Sequence, residues 1–189
     1  MILESHVWKN ELNKDLQTVK RRLHKAKISW EQKDRELATV SIEKFAFMSA
    51  FIVRKLIESK KLSDEFESMS VQVQEFRQDN LEPTIHFMNR HRIDKFYDLE
   101  NGSKTALPVV KICHAFIHSF VFEIAIDNDA ASIDGIFFNS DKTKDEKVYF
   151  IQLKNYLQVI ETAIKDEIIQ THANPREGIY RKSRNQRKM

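Results

Sequence analysis

Phe45-Ala46-Phe47-Met48-Ser49-Ala50-Phe51-Ile52-Val53-Arg54-Lys55-Leu56-Ile57 is the stretch on which the reading of the fold turns. It is apolar on nearly every side, as expected of a central element that others pack against. Its longest unbroken apolar character, Phe45 to Val53, holds Ser49 and is closed by Arg54-Lys55. That is too short to cross a bilayer, so it reads as a core helix. Arg54 has Glu58 four residues on, the spacing of a surface ion pair on a helix. Extended backwards, the helix is amphipathic through Trp30, Leu37 and Val40, and it spans Trp30 to about Lys60, roughly 45 Å at 1.5 Å per residue.

A first helix is expected from Ser5 to Ala26, because Leu12, Leu16, Val19 and Leu23 recur along one stripe. Ser29-Trp30-Glu31-Gln32 reads as a capping box opening the second helix, which makes the pair a helical hairpin. The middle is less regular. Val71 to Gln74 alternates at period two and is a candidate short strand, as is Thr84 to Met88 after Pro83. Asp98 to Ser103 is a turn, and Thr105 then caps a third helix from Ala106 to Phe120 with Pro108 in its first turn. Val121 to Ile126 and Ser132 to Phe138, joined by Asp127-Asn128-Asp129, suggest an inserted β-hairpin. A second capping box, Thr143-Lys144-Asp145-Glu146, opens a last helix from Lys144 to Gln170 with Tyr149, Leu153, Tyr156, Ile160, Ala163 and Ile164 along its seam. The expected fold is therefore mainly α: a four-helix-bundle-like domain over residues 1–171, with a small β-hairpin before the last helix.

Composition agrees with long helices. Only three Gly and three Pro occur among 189 residues, which leaves little for turns. A hydrophobic share of 41% with 13 Phe can fill a core. Cys113 is the only cysteine, so no internal disulfide forms. With no basic, apolar leader pattern at the start, a reducing, cytoplasmic setting is expected, with no membrane association. The net charge of +3 is uneven: residues 172–189 hold six of the 31 Lys and Arg against Glu177 alone, so this basic C-terminal tail carries +5 and the body −2. Arg181, Lys182 and Arg184 in the tail, and Arg90 and Arg92 around His91, are candidate contacts to nucleic-acid phosphates. A solvated terminus and an exposed turn are the plainer readings of the same residues.

The chemistry-bearing segment is Lys111-Ile112-Cys113-His114-Ala115-Phe116-Ile117-His118. On a helix, Lys111, His114 and His118 fall within about 60° of one another. Partly buried structural histidines, proton transfer by an imidazole beside a phosphate-stabilising lysine, and metal binding all use such a pair. No third ligand or intervening Glu accompanies the histidines, so neither metal nor cofactor is expected. Phosphate loops, serine elbows, Cys-x-x-Cys pairs and His-Glu-x-x-His runs are all missing, which removes P-loop hydrolysis, serine hydrolysis and structural zinc.

The helix order across residues 5–170 and the hexad Cys113 to His118 together resemble the HEPN superfamily of small helical domains. In that family the third helix carries Arg, a polar residue and, further on, His. Many members are metal-independent ribonucleases of defence or toxin–antitoxin systems, and they often dimerise. The resemblance implies His118 as the catalytic histidine, His114 as the polar position, and Lys111 as a nearby cation, with RNA as substrate and a homodimer as the assembly. Cys113 stands where the Arg is usual, and a thiol cannot grip a phosphate as a guanidinium does. A bacterial RNA-binding or RNA-cleaving protein, catalytically intact or degenerate, is one expectation. The other is a non-catalytic helical module for protein–protein interaction or dimerisation.

Overall fold

The computed structural model describes residues 4–29, 31–79, 85–127, 132–174 and 178–184. Its first elements follow the helical hairpin read from the sequence: α1 (Ser5–Ser29) and α2 (Gln32–Glu58) pack on each other through Leu12, Leu16, Val19, Ile42, Phe45 and Val53. The joint is not a capping box. Glu31 is the N-cap of α2 without a side-chain bond, and Ser29 Oγ instead donates to Asp34 Oδ2 at 2.7 Å; Trp30 lies outside the described residues. A single turn, α3 (Asp64–Glu67), follows, capped by Ser63.

From there the chain departs from a helical bundle. The strands β1 (Ser70–Arg77), β2 (Ser103–Pro108), β3 (Ser119–Asp127), β4 (Ser132–Ser140) and β5 (Lys147–Gln152) form one antiparallel sheet in the order β2-β1-β5-β4-β3. Helices α4 (Val109–Ile117) and α5 (Leu153–Lys165) pack with α1 and α2 against it. The architecture is α+β, which corrects the mainly α, four-helix-bundle expectation.

Two of the expected helices begin too early in the sequence reading. Residues 103–108 pair with β1, from Ser70 opposite Pro108 to Glu75 opposite Ser103. Pro108, extended at φ −55° and ψ 140°, then caps a helix of nine residues. Residues 147–152 form the middle strand of the sheet, with Val148 and Ile151 buried on opposite faces. A segment buried on both sides suits a strand, because its side chains alternate between two layers. Thr143, read as a helix cap, stands in the tight turn from β4 to β5, where it accepts from Ser140 N at 3.2 Å. The helical seam proper starts at Leu153 and buries Tyr156, Ile160 and Ala163. Asp166 ends it, and β6 (Ile168–Asn174) pairs with β7 (Gly178–Ser183) in a second, two-stranded sheet.

The expected strands at Val71–Gln74 and the hairpin at 121–138 lie within β1, β3 and β4. Of the strand read at 84–88, Thr84 lies outside the described residues, and Phe87 and Met88 stand in a turn.

The sheet separates two apolar clusters. On the helical face, Phe116 sits among Phe122, Phe138 and Tyr156, with ring centroids at 5.3, 4.9 and 5.0 Å. Tyr156 Oη bonds Ser49 Oγ at 2.7 Å and donates to Ala46 O at 3.1 Å, which ties α5 to α2 and satisfies a buried hydroxyl. On the other face, Ile85, Phe96 and Tyr97 cover Phe76, Val121 and Val148. Asn139, fully buried, holds this layer by donating to Tyr97 Oη at 2.8 Å and accepting from Val121 N at 3.0 Å. Among the described residues no helix is long and apolar enough to cross a membrane.

Candidate anion cleft on the outer face of helix four

Helix α4 carries the chain from one edge strand of the sheet, β2, to the other, β3. Val109, Ile112, Cys113 and Phe116 are its buried side. The opposite side, with Lys111, His114 and His118, is exposed. Lys111 and His114 share the outer face of α4, whereas His118 lies just past the helix, at φ −113° and ψ 36°, with its ring beside that of His114. The imidazoles of His114 and His118 lie 4.6 Å apart, centroid to centroid, tilted by 49°. His118 caps α4, its amide donating to His114 O at 3.0 Å.

A cleft of about 550 Å3 opens beside them. Lys111 and His114 line it from α4, Arg54 and Glu58 from α2, Ser140 from the end of β4, and Lys142 and Thr143 from the turn after it. Arg54 Nε donates to Glu58 Oε1 at 2.8 Å and Lys55 Nζ to Oε2 at 2.7 Å, so the single acid of the cleft is held by two cations. These bonds, Lys55's first and then Arg54's, pull the Glu58 pKa down. Among the described residues neither Lys111 nor Lys142 is in an ion pair, so the cleft keeps a positive field. The His114 pKa is lowered, first by partial burial and then by His118, Arg54 and Lys142. Its imidazole is therefore neutral at pH 7 and able to accept a proton.

Cys113 points the other way. It is buried, and burial pushes its thiol up to about 12, so it is neither nucleophile nor cleft residue. A guanidinium at that position would face the core; the guanidinium beside the histidines comes from α2, as Arg54. In the sequence Arg54 stands out only as the partner of Glu58, and Lys142 does not stand out at all. Nothing local marks either, since their approach to α4 is a tertiary event.

The other candidate residues are scattered. Arg90 Nη1 donates to Phe120 O at 3.1 Å and its guanidinium carbon lies over the Phe87 ring, 4.3 Å from the centroid; Arg92 is exposed just beyond. Arg181 is buried in ion pairs with Asp64 and Glu67, and it also donates to Leu62 O. Arg184 pairs with Glu167 at 2.9 Å, and Lys182 is partly exposed on β7. The basic end of the chain thus enters the fold through Arg181. No three His, Cys, Asp or Glu side chains among the described residues are grouped to hold a metal ion.

Comparison of the chain with protein-family models, with curated proteins and with solved structures returns no match.

Proposed function

We propose that the protein binds single-stranded RNA by its phosphates in the α4 cleft and cleaves it there without metal. The observation that carries this reading is the opening of Arg54, Lys111 and Lys142 onto the same space as His114, with the tilted ring of His118 beside it. RNA supplies its own nucleophile, so a protein need only move protons and stabilise phosphate charge. His114 takes the proton of a 2′-hydroxyl, whose oxygen attacks the adjacent phosphorus. The bond from phosphorus to the 5′-oxygen breaks, and His118 gives that oxygen its proton, leaving a 2′,3′-cyclic phosphate. The resemblance of residues 113–118 to the HEPN hexad supports His118 as a catalytic histidine, with Arg54 serving where the motif has Arg; it gives His114 only the polar position, and the base role of His114 rests on its place in the cleft. The helix order that accompanied the resemblance does not carry over to a fold built on a five-stranded sheet. We place the protein in the cytoplasm, where a lone buried thiol stays reduced.

The test is incubation with short RNA in EDTA. Wild-type protein yields cyclic-phosphate ends, and His114→Ala or His118→Ala slows cleavage by about 10²–10⁴-fold. The rate falls with acidity at a pH below the ordinary imidazole value of 6.5, because the base is lost when His114 gains its proton. Lys111→Ala with Lys142→Ala weakens binding and flattens its dependence on salt, by about 0.7 in log–log slope for each phosphate contact removed. Wild-type protein that neither cleaves RNA nor binds it in a salt-dependent way overturns the reading.

A second observation favours self-association. Leu37, Val40, Met48 and Phe51 are exposed along one stripe of α2, whereas the apolar seam of α5 is covered within the chain. Lys44 is exposed midway along the same stripe, and Glu36 and Lys55 flank its ends. Light scattering is expected to find a dimer, and Val40→Lys with Phe51→Glu a folded monomer. A wild-type monomer at high concentration removes this surface from consideration.

A further inference from the structure

Past His118 the chain enters the wall of a second cleft, of about 480 Å3, between α2, the turn at 87–91 and edge strand β3. The size falls in the range of small-molecule sites. Its walls are aromatic. The rings of Phe47 and Phe122 lie 4.5 Å apart, Phe120 stands beside them, and Phe87 is 67% exposed at the mouth. Arg90 lies over Phe87 and is pinned by its bond to Phe120 O, so the guanidinium is held in place. Exposed aromatic rings and fixed guanidinium planes are the surfaces on which unpaired nucleobases stack.

Two carboxylates enter the same space, Glu43 from α2 and Glu123 from β3. Among the described residues neither accepts a hydrogen bond. Glu123 is half-buried; burial raises its pKa, His91 and Arg90 oppose that, and Glu43 adds to it. A desolvated carboxylate without donors is costly to keep, and a ligand that brings N–H groups relieves it. Of the four RNA bases, guanine alone presents two adjacent donors on its pairing edge, N1–H and the N2 amino group. Those match the two oxygens of one carboxylate. Adenine and cytosine set an acceptor beside their amino group, and uracil flanks its single N–H with carbonyls.

We infer that this cleft is a guanine-binding subsite, in which the base stacks against Phe87 and Arg90 and donates N1–H and N2–H to Glu123. His114 lines the cationic cleft, and His118, whose ring lies beside it, directly precedes Ser119, a wall residue of the aromatic cleft. As a position on RNA, the subsite rests on the phosphate reading of the α4 cleft and makes the protein selective for phosphates next to guanosine. Recognition of the nucleoside itself does not depend on that reading.

The test separates the two. The four nucleosides are titrated into the full chain and followed by amide chemical shifts, and the RNAs UUGUU and UUAUU are compared in binding and cleavage. Guanosine is expected to bind at least about tenfold more tightly than the others and to shift amides of β3 and the 87–91 turn. Phe87→Ala weakens it by about tenfold or more. Glu123→Gln, isosteric and on an edge strand, abolishes the preference while leaving the melting temperature within a few degrees. Lys111→Ala with Lys142→Ala weakens both RNAs and leaves guanosine binding as it was. Equal affinity for all four nucleosides, or a guanosine preference that survives Glu123→Gln, overturns the inference. Guanosine binding without RNA binding removes the phosphate reading alone.

Discussion

Phe116→Ala is expected to lower the free energy of unfolding by about 3–5 kcal/mol, the cost of deleting a sealed ring from a packed core. The side chain has no exposed surface, and it touches elements from three parts of the chain: β3 through Phe122, β4 through Phe138 and α5 through Tyr156. None of the three rings can fill the void without leaving its own partners. A domain of this size has about 5–15 kcal/mol in all, so the variant should lie near the edge of folding at moderate temperature. Urea titration followed by far-ultraviolet dichroism reads the effect as a fall in the midpoint with little change in slope. Phe116→Leu, which keeps most of the volume, should lose much less. A loss below about 1 kcal/mol for the alanine variant would show that α4 does not pack on the sheet through this ring.

Arg181→Ala is expected to cost about 3–5 kcal/mol as well, through a different physical cause. The guanidinium, 3% exposed, lies between Asp64 and Glu67 of α3 and donates to Leu62 O, while the Arg181 amide donates to Asp64 Oδ2 at 2.7 Å. Removing it takes one partner from each of the two carboxylates and the only one from the Leu62 carbonyl among the described bonds, and it loosens β7 from α3 and the segment before it. Arg181→Met, which keeps the stem and drops the charge, should recover only part of the loss, because Asp64 is left with the residue-181 amide and Glu67 with Lys60 alone. Proteolysis of the β6–β7 hairpin in the alanine variant, ahead of global unfolding, reports the release. Burial works against the Glu67 carboxylate, but the bonds from Arg181 and Lys60 outweigh it and hold the pKa below 4.5. The stabilisation is therefore complete above the ordinary carboxylate range and is lost as pH falls through the lower, folded value. Wild type and Arg181→Ala should converge in stability at acid pH. A constant gap between them down to about pH 3 would argue against the ion pairs as its source.

The residues of the cleft show why one part of it could be read from the chain and another could not. Lys111, His114 and His118 share a face wherever that segment is helical, and the Arg54–Glu58 pair follows from a spacing of four on α2. Cys113 looks, in one dimension, like a member of the same motif, yet one step of 100° turns it into the core. Lys142 comes from a turn between strands and meets His114 only because β4 ends beneath α4. The guanine cleft has the same character: Phe47, Phe87 and Glu123 come from segments far apart in the chain.

Local periodicity by itself determined α1, α2, the seam of α5 from Leu153, and the strands around Val71 and at 121–138, since each repeat of side chains reports its own backbone geometry. Tertiary structure alone decided that Ser103–Pro108 and Lys147–Gln152 are strands. Tyr149 and Leu153 stand four apart and imitate a helix, while the bonds that make β5 central are to Gln74, Phe76 and Phe138, in other parts of the chain. A helix satisfies its backbone within itself, so its signal is local; a strand is completed by partners that only the folded chain brings alongside.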